Sequence, residues 1–271
     1  MLTMKKALTI AGSDSSGGAG IQADLKTFQE RGVYGMTAVT TIVAMDPADW
    51  SHKVFPQPVE VVTEQLKTII AIGVDALKTG MLGSPALIEL AAQTIEDNKL
   101  QNVVIDPVMV CKGVDEVLQP ENTVSLRDVL VPKATIVTPN LFEAAQLAGQ
   151  GPIKTLDEMK VAAEKIRALG AKYVLIKGGS RLEGTGAIDL LFDGETFEIL
   201  ESEKISTTFT HGAGCTYSAA ITAELAKGKS VREAVKTAKA FITEAIRHSF
   251  KLNEFAGPTN HAAYRKIEER K

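Results

Sequence analysis

An α/β fold, with a central, mostly parallel sheet, helices on both of its faces and an antiparallel edge, follows from three features of the 271-residue sequence. Short apolar runs rich in β-branched residues alternate with longer amphipathic ones, the pattern of strands buried on both sides. Polar and glycine residues gather where the apolar runs end. Two further runs flank Asp193-Gly194, a tight-hairpin signature.

Taken in order, residues 7–11, 37–44, 103–106, 135–138 and 173–177 are predicted strands, each nearly all apolar and ending in polar or glycine residues. Helix-length patterns occupy 22–30, 59–72, 85–98, 122–130 and 156–169. In the last, Met159, Ala162, Ala163, Ile166 and Leu169 fall on one face, and Thr155 with Glu158 forms a capping box. Residues 187–192 and 196–200 form the hairpin that finishes the sheet, and helices over 213–227 and 231–249 follow. No Pro/Gly/Ser-rich linker, repeat or low-complexity tract interrupts the chain, so one domain over 1–271 is expected.

Lys and Arg number 30 against 33 Asp and Glu, a formal charge of −3, which argues against a nucleic-acid or anionic-membrane binder held by bulk charge. Hydrophobic residues at 45% and charged residues at 23% describe an ordinary globular chain. Two cysteines build no disulfide framework, and alone they leave a structural zinc short of ligands. No signal peptide is read at the start, and the apolar stretches stop well short of the roughly 20 residues that a spanning helix needs. A soluble, cytoplasmic protein with reduced thiols is expected.

In an open parallel sheet, ligands lie beyond the carboxyl ends of the strands. Here those ends carry Gly12-Ser13-Asp14, Met45-Asp46, Thr79-Gly80-Met81, Asp106-Pro107, Pro139-Asn140 and Lys177-Gly178-Gly179. So many loaded ends favour an enzyme with one long groove over ordinary turn chemistry.

Five motifs carry chemistry. AGSDSSGGAG over 11–20 places backbone amides between a strand and a helix, where an anion or polar ligand docks. A flexible turn would need one or two glycines, not this Ser/Asp content. The Walker spacing fails because Gly18-Ala19 replaces Lys-Ser/Thr, and GxGxxG is absent. In THGAGCT over 210–216, Gly212, Ala213 and Gly214 aim N–H groups at a preformed anion hole. Cys215 stands in the first helical turn, where dipole and amides lower a thiol pKa into the range of roughly 3.5–7.5. A lone cysteine is more often a small buried hydrophobe, but the glycines and His211 reverse that preference here.

TPNLFE over 138–143 has two readings. Asn140 and Glu143 form a helix cap, or Asn140 contacts nucleotide phosphate and Glu143 enters a magnesium shell, since Mg2+ takes one or two carboxylates plus waters and phosphates. In DPVMVCKG over 106–113, Asp106 holds Mg2+ or its water, or merely shapes an Asp-Pro loop. Cys111, beside Lys112, is incidental on this evidence alone. VLIKGG over 174–179 ends a strand with Lys177 before Gly178 and Gly179, a phosphate contact that Asp189 and Lys239 could share or leave for ordinary surface roles.

Together, AGSDSSGGAG, ADLKTF, YGMTAVT, KTGM, VIDPVMV, VTPNLFEA, IKGG and HGAGCT, in this order along nearly the whole chain, resemble the ribokinase-like vitamin kinases. The pattern is similar to bacterial dual-cysteine pyridoxal kinases of the hydroxymethylpyrimidine (phosphate) kinase type. Most ribokinase-like enzymes have Asp after Gly-Ala-Gly; Cys215 stands there, as in the vitamin-kinase branch. The resemblance implies ATP- and Mg2+-dependent phosphorylation of a hydroxymethyl group on a heteroaromatic ring. It implies a ring pocket of Gly12, Asp14, Ala19, Met45, Met81 and Val108. ATP would lie along Asn140, Lys177, Gly178, Gly179, Ser180 and Arg181, with Asp189, Gly214 and Lys239 completing its site. Glu143 and Asp106 would face the metal. Cys215 would accept or polarise the hydroxyl, and the amides of 212–214 would stabilise the transferring phosphoryl group. Cys111 would add reversibly to the aldehyde of pyridoxal, with His211 assisting proton movement near either thiol. Relatives devoted to hydroxymethylpyrimidine typically carry Gln-Asn where this chain has Met45-Asp46, and methionine packs on a pyridine ring without reading a pyrimidine edge. Vitamin B6 vitamers are therefore the expected substrates, with the thiamine-pathway pyrimidine as the rival. A cysteine hydrolase leaves the Asn140, Glu143 and Lys177 sites purposeless, and a vitamin carrier leaves the ATP half-site unexplained. Relatives of this size are commonly homodimers.

Overall fold

The computed structural model describes residues 4–109, 120–182, 184 and 186–265. Nine strands among them form one sheet: β1 (Lys6–Asp14), β2 (Tyr34–Met45), β3 (His52–Pro56), β4 (Ala76–Thr79), β5 (Val103–Ile105), β6 (Ile136–Val137), β7 (Tyr173–Gly179), β8 (Gly186–Phe192) and β9 (Phe197–Glu203). Their spatial order is β3-β2-β1-β4-β5-β6-β7-β8-β9. The strands from β2 through β7 in that order run parallel, whereas β3 on one margin and β8 and β9 on the other are antiparallel.

The helices are α1 (Gly20–Glu30), α2 (Val59–Ile72), α3 (Pro85–Asp97), α4 (Pro120–Ser125), α5 (Leu141–Ala148), α6 (Leu156–Ala168), α7 (Ala213–Ala226) and α8 (Val231–Arg247). Side chains alternate between sheet faces along a strand, and β5 shows what that produces. Val103 and Ile105 join the core under α2, α3, α5 and α6, while Val104 joins the opposite core under α1, α7 and α8. A run apolar at every position is therefore what a strand buried on both faces requires. Among the described residues no helix is long and apolar enough to cross a membrane.

The Thr155–Glu158 capping box forms as expected: Glu158 N–H donates to Thr155 Oγ1 at 3.2 Å and Thr155 N–H to Glu158 Oε2 at 2.9 Å. The helix expected over 122–130 is corrected to the short α4, then a π-helical turn over Leu126–Leu130 and a 3-10 turn over Val131–Lys133. Pro132 lies in that last turn, and proline cannot donate the backbone bond that an α-helix would need. Strands β3 and β4 and helix α5 extend the predicted set.

Chain direction along the sheet reverses between β1 and β4: α1 leads from β1 outward to β2, and α2 returns to β4 on the other side of β1. Loops diverge at such a switch point and leave a crevice beyond the strand ends.

Candidate active site

Two glycine-containing segments meet in that crevice. After β1, the Asp14 carboxylate gathers the loop around itself: Oδ1 accepts from Ser16 N–H at 2.8 Å, and Oδ2 accepts from Gly18 N–H at 3.2 Å and Ala19 N–H at 2.8 Å. His211 Nε2 lies 2.8 Å from the same Oδ2. Burial opposes the charge on Asp14, but the bonds from His211 and Ser16 hold its carboxyl well below the usual carboxylate range. Asp14 and His211 thus organise the loop. The ring contact expected of Asp14 and the proton movement expected of His211 would have to operate from within this hydrogen-bonded loop.

Gly212, the N-cap of α7, adopts φ +76°, and a β-carbon there would fall on the Gly18 carbonyl oxygen. Only glycine lets the two loops touch backbone to backbone. Ala213 N–H is bonded to Thr210 O at 3.1 Å, which corrects the expected hole of 212–214. Gly214 and Cys215 are the second and third helical residues, where an α-helix offers its N–H groups no acceptor. The hole moves to them. Gly214 matters for what it omits: a β-carbon there would sit 3.4 Å from Lys177 Nζ, so the amides and the ammonium share one space.

Beneath that space lies a buried charge network. Lys177 Nζ donates to Asp106 Oδ1 at 2.7 Å, and Thr138 Oγ1 donates to the same oxygen at 3.1 Å. Ser218 Oγ, one turn along α7, donates to Asp106 Oδ2 at 3.1 Å. With both oxygens engaged and a lysine against it, Asp106 is an ion-pair partner of Lys177, and the metal or metal-water role expected of it would have to share those oxygens. Glu143 accepts from Asn140 N–H at 2.8 Å, and Asn140 Oδ1 accepts from Glu143 N–H at 2.9 Å, so the capping box is real. Burial pushes the Glu143 carboxyl up to about 7; Lys177 opposes that shift and Asp106 adds to it. One carboxylate able to gain charge when a cation arrives suits Mg2+, which draws its remaining ligands from water and phosphate oxygens. No group of three or more His, Cys, Asp or Glu able to hold a metal occurs among the described residues.

Cys215 is half-buried at the head of α7 and is a free thiol. Burial pushes it up to about 11, with Lys78 opposing and Asp24 and Asp106 adding to the rise. The expected lowering of this thiol is therefore corrected: the helix terminus does not outweigh desolvation by burial.

Gly12, Met81 and Thr41 converge at the ends of β1, β4 and β2, since a β-carbon on Gly12 would meet Met81 Sδ at 3.6 Å. Ala19 caps α1. Met45 and Val108 are half-buried at the ends of β2 and β5. Asp189 and Lys239 form a buried pair at 2.7 Å, and Asp189 Oδ1 also accepts from Gly179 N–H at 3.1 Å. The pair supports the Gly178-Gly179 turn, the place from which the nucleotide contact expected of these two would be made. A β-carbon on Gly178 would strike the Ile188 carbonyl, whereas Gly179 turns with φ +53° and open space beside it. Ser180 and Arg181 are exposed on the rim, where the Arg181 charge still acts on Glu143. Cys111 lies outside the described residues.

Sequence reasoning missed a buried trio whose charges act on Cys215. Thr9 Oγ1 donates to Asp24 Oδ2 at 2.7 Å, and Lys78 Nζ reaches both Asp24 oxygens at 3.0 Å. The signal was there: Asp24 precedes Thr27 and Phe28 by three and four positions, on the buried stripe of α1, where a carboxylate needs a partner.

The family model for phosphomethylpyrimidine kinase matches residues 14–260. The chain belongs to this family. Within the phosphomethylpyrimidine kinase family, a pyridoxine kinase of Bacillus subtilis (strain 168) is 63% identical over 266 residues, covering 97% of this chain and 98% of its own. Among solved structures, an ADP complex of Bacillus subtilis pyridoxal kinase superposes with a TM-score of 0.95 at 63% identity, covering 97% of this chain and 99% of that one. The Staphylococcus aureus pyridoxal kinase in complex with AMP-PCP and pyridoxal gives 0.93 at 50% identity, covering 98% of this chain and 96% of that one. The ribokinase-like architecture is thereby established for the whole sheet and both helical layers.

Proposed function

We propose that this protein is an ATP-dependent kinase that phosphorylates the 5′-hydroxymethyl group of pyridoxal, pyridoxine and pyridoxamine in vitamin B6 salvage. The observation that carries the reading is the shared space at the head of α7, where the Gly214 and Cys215 amides and the Lys177 ammonium converge. A transferring phosphoryl group carries spread negative charge through a loose transition state, so fixed amides and a cation serve it better than a strong base. Identity to pyridoxine and pyridoxal kinases over almost the entire chain supports the choice of acceptor.

In the proposed reaction, Cys215 first gives its thiol proton to water, the hydroxymethyl oxygen attacks the γ-phosphorus of ATP, the bond to the β-phosphate oxygen breaks, ADP leaves, and the hydroxyl proton passes to the Cys215 thiolate. The ring would lie against Gly12, Ala19, Met45, Met81 and Val108. Lys177 and the Gly178–Gly179 turn would align the phosphates, with Asn140 and Glu143 at their edge. Mg2+, when bound with ATP, neutralises phosphate charge; Glu143 is the residue suited to hold it. Cys111 would capture the aldehyde of pyridoxal as a hemithioacetal, the sulfur bonding the carbonyl carbon and the thiol proton ending on the oxygen. A homodimer working in the cytoplasm completes the reading.

Steady-state turnover of the three B6 vitamers and hydroxymethylpyrimidine with ATP tests it directly. B6 turnover abolished by EDTA is expected. Strong preference for the pyrimidine would move the protein to thiamine biosynthesis.

A further inference from the structure

The thiol at the head of α7 raises a physical problem. It must meet a hydroxyl proton, yet it lies in surroundings that favour its neutral form. On the sheet face beneath α1 and α7, Ala7, Ala76 and Val104 are apolar core. Two residues further along the same strands stand Thr9, Lys78 and Asp106, all fully or almost fully buried. Thr9 is level with Lys78 across β1 and β4, and Lys78 with Val104 across β4 and β5. The first turn of α7 is pinned above this row, because Ser218 Oγ donates to Asp106 Oδ2 and also reaches Cys215 O at 3.1 Å.

Lys78 and Asp24 are both 0% exposed. A buried ion pair seldom beats apolar residues of the same volume in stability, so packing alone gives poor grounds for a lysine in the middle of a parallel sheet. With Asp24 and Thr9 gripping its ammonium, however, Lys78 is a cation that cannot swing away or be screened by water. We propose that Lys78 is a positioning residue for catalysis: a fixed buried cation that stabilises negative charge on the Cys215 sulfur as the substrate hydroxyl is engaged. This rests on the reading of Cys215 given under the proposed function. The charged groups facing that sulfur are Lys78 from β4, Asp24 from α1, Asp106 beyond β5 and Lys177 from β7, and Gly20 N–H at the start of α1 also points to it. Lys78 favours the thiolate, and Asp24 and Asp106 oppose it.

Alkylation of Cys215 by iodoacetamide tests the coupling without any kinase assay. The full chain carries C111S, so that one thiol reports, and adduct formation is followed by mass spectrometry at pH 8. K78M should slow alkylation about tenfold, equivalent to one pKa unit, K78R should restore most of the rate, and D24N should quicken it. Rates that move together in K78M and D24N, or that do not move, would overturn the proposal. Should K78M fail to fold, the K78M/D24N double variant leaves no orphaned charge and is compared with D24N alone; slower alkylation than D24N supports Lys78, and an equal rate sinks it. Failure of the underlying reading is seen separately. Kinase turnover by C215A near the parent rate would remove Cys215 from catalysis while leaving the alkylation result intact.

Discussion

At Cys215 two effects of opposite sign compete, and their balance sets what the residue does. The helix terminus and Lys78 favour sulfur charge; burial disfavours it and wins, pushing the thiol up to about 11. Replacing it by alanine should lower kcat for pyridoxine by 10²- to 10⁴-fold, the usual span for a lost proton-transfer group, with the KM for ATP nearly unchanged; steady-state kinetics read both. Glu143 gives a pH signature. Its folded value near 7 exceeds the ordinary 4.5, so the folded state binds the extra proton, and this contribution to stability is lost as pH rises from 4.5 through 7. Thermal melts should therefore show E143Q gaining several degrees on the parent between pH 5 and 8, with the difference flattening below 4.5. The phosphate-facing residues were legible because glycines and a strand-terminal lysine announce themselves locally. The roles of Asp14 and His211 were not, since they depend on a 2.8 Å contact between residues 197 positions apart.

Among the elements, α7 depends most on a single position. Gly212 needs both its left-handed φ and the absence of a β-carbon, because the Gly18 carbonyl oxygen occupies the place where one would go. G212A should cost about 1–3 kcal/mol of stability and displace the Gly214 and Cys215 amides. Turnover should then fall by more than the loss of folded protein explains, as denaturant melts paired with kinetics would show. T155A removes only the cap of α6 and should cost about 1 kcal/mol with kcat unaltered. Strands β1, β2, β5 and β7 and the hairpin were readable from unbroken apolar runs and Asp-Gly. By contrast, β4 is four residues long and contains Lys78, so its pattern is broken by the ion that makes it interesting. Strand β3 carries mostly exposed residues and exists through pairing with β2, a long-range cause invisible to a local window. Helix α5 hid because its cap, Asn140 with Glu143, doubles as a ligand motif.

For the molecule as a whole, acid stability has an identifiable weak point in the segment beyond α8. His261 is buried 3.1 Å from Thr216 Oγ1 on α7, and burial, aided by the Lys26 charge, pushes its pKa down to about 4. The unfolded chain takes up the proton near 6.5 and the folded one only near 4, so stability declines as pH falls through that interval, by up to about 3 kcal/mol. Melts of H261N should decline less steeply than the parent from pH 6.5 to 4. Parallel slopes would place the acid sensitivity elsewhere. The same segment has a mechanical consequence. His211 is tied through its ring to Asp14, through its N–H to Gly257 O at 3.0 Å, and through its carbonyl to Thr259 N–H at 3.2 Å. The loop entering α1, the cap of α7 and the chain near 258 are thus joined into a single plate at one residue, by its ring to Asp14 and by its backbone to Gly257 and Thr259. Whichever ligand stiffens that plate first leaves less disorder for the other to remove, and by reciprocity each tightens its companion equally. H211A removes the tie to Asp14 and keeps the two backbone ties, so it should shrink the gain in affinity that each ligand brings the other, as titrations of one ligand with and without its companion would show.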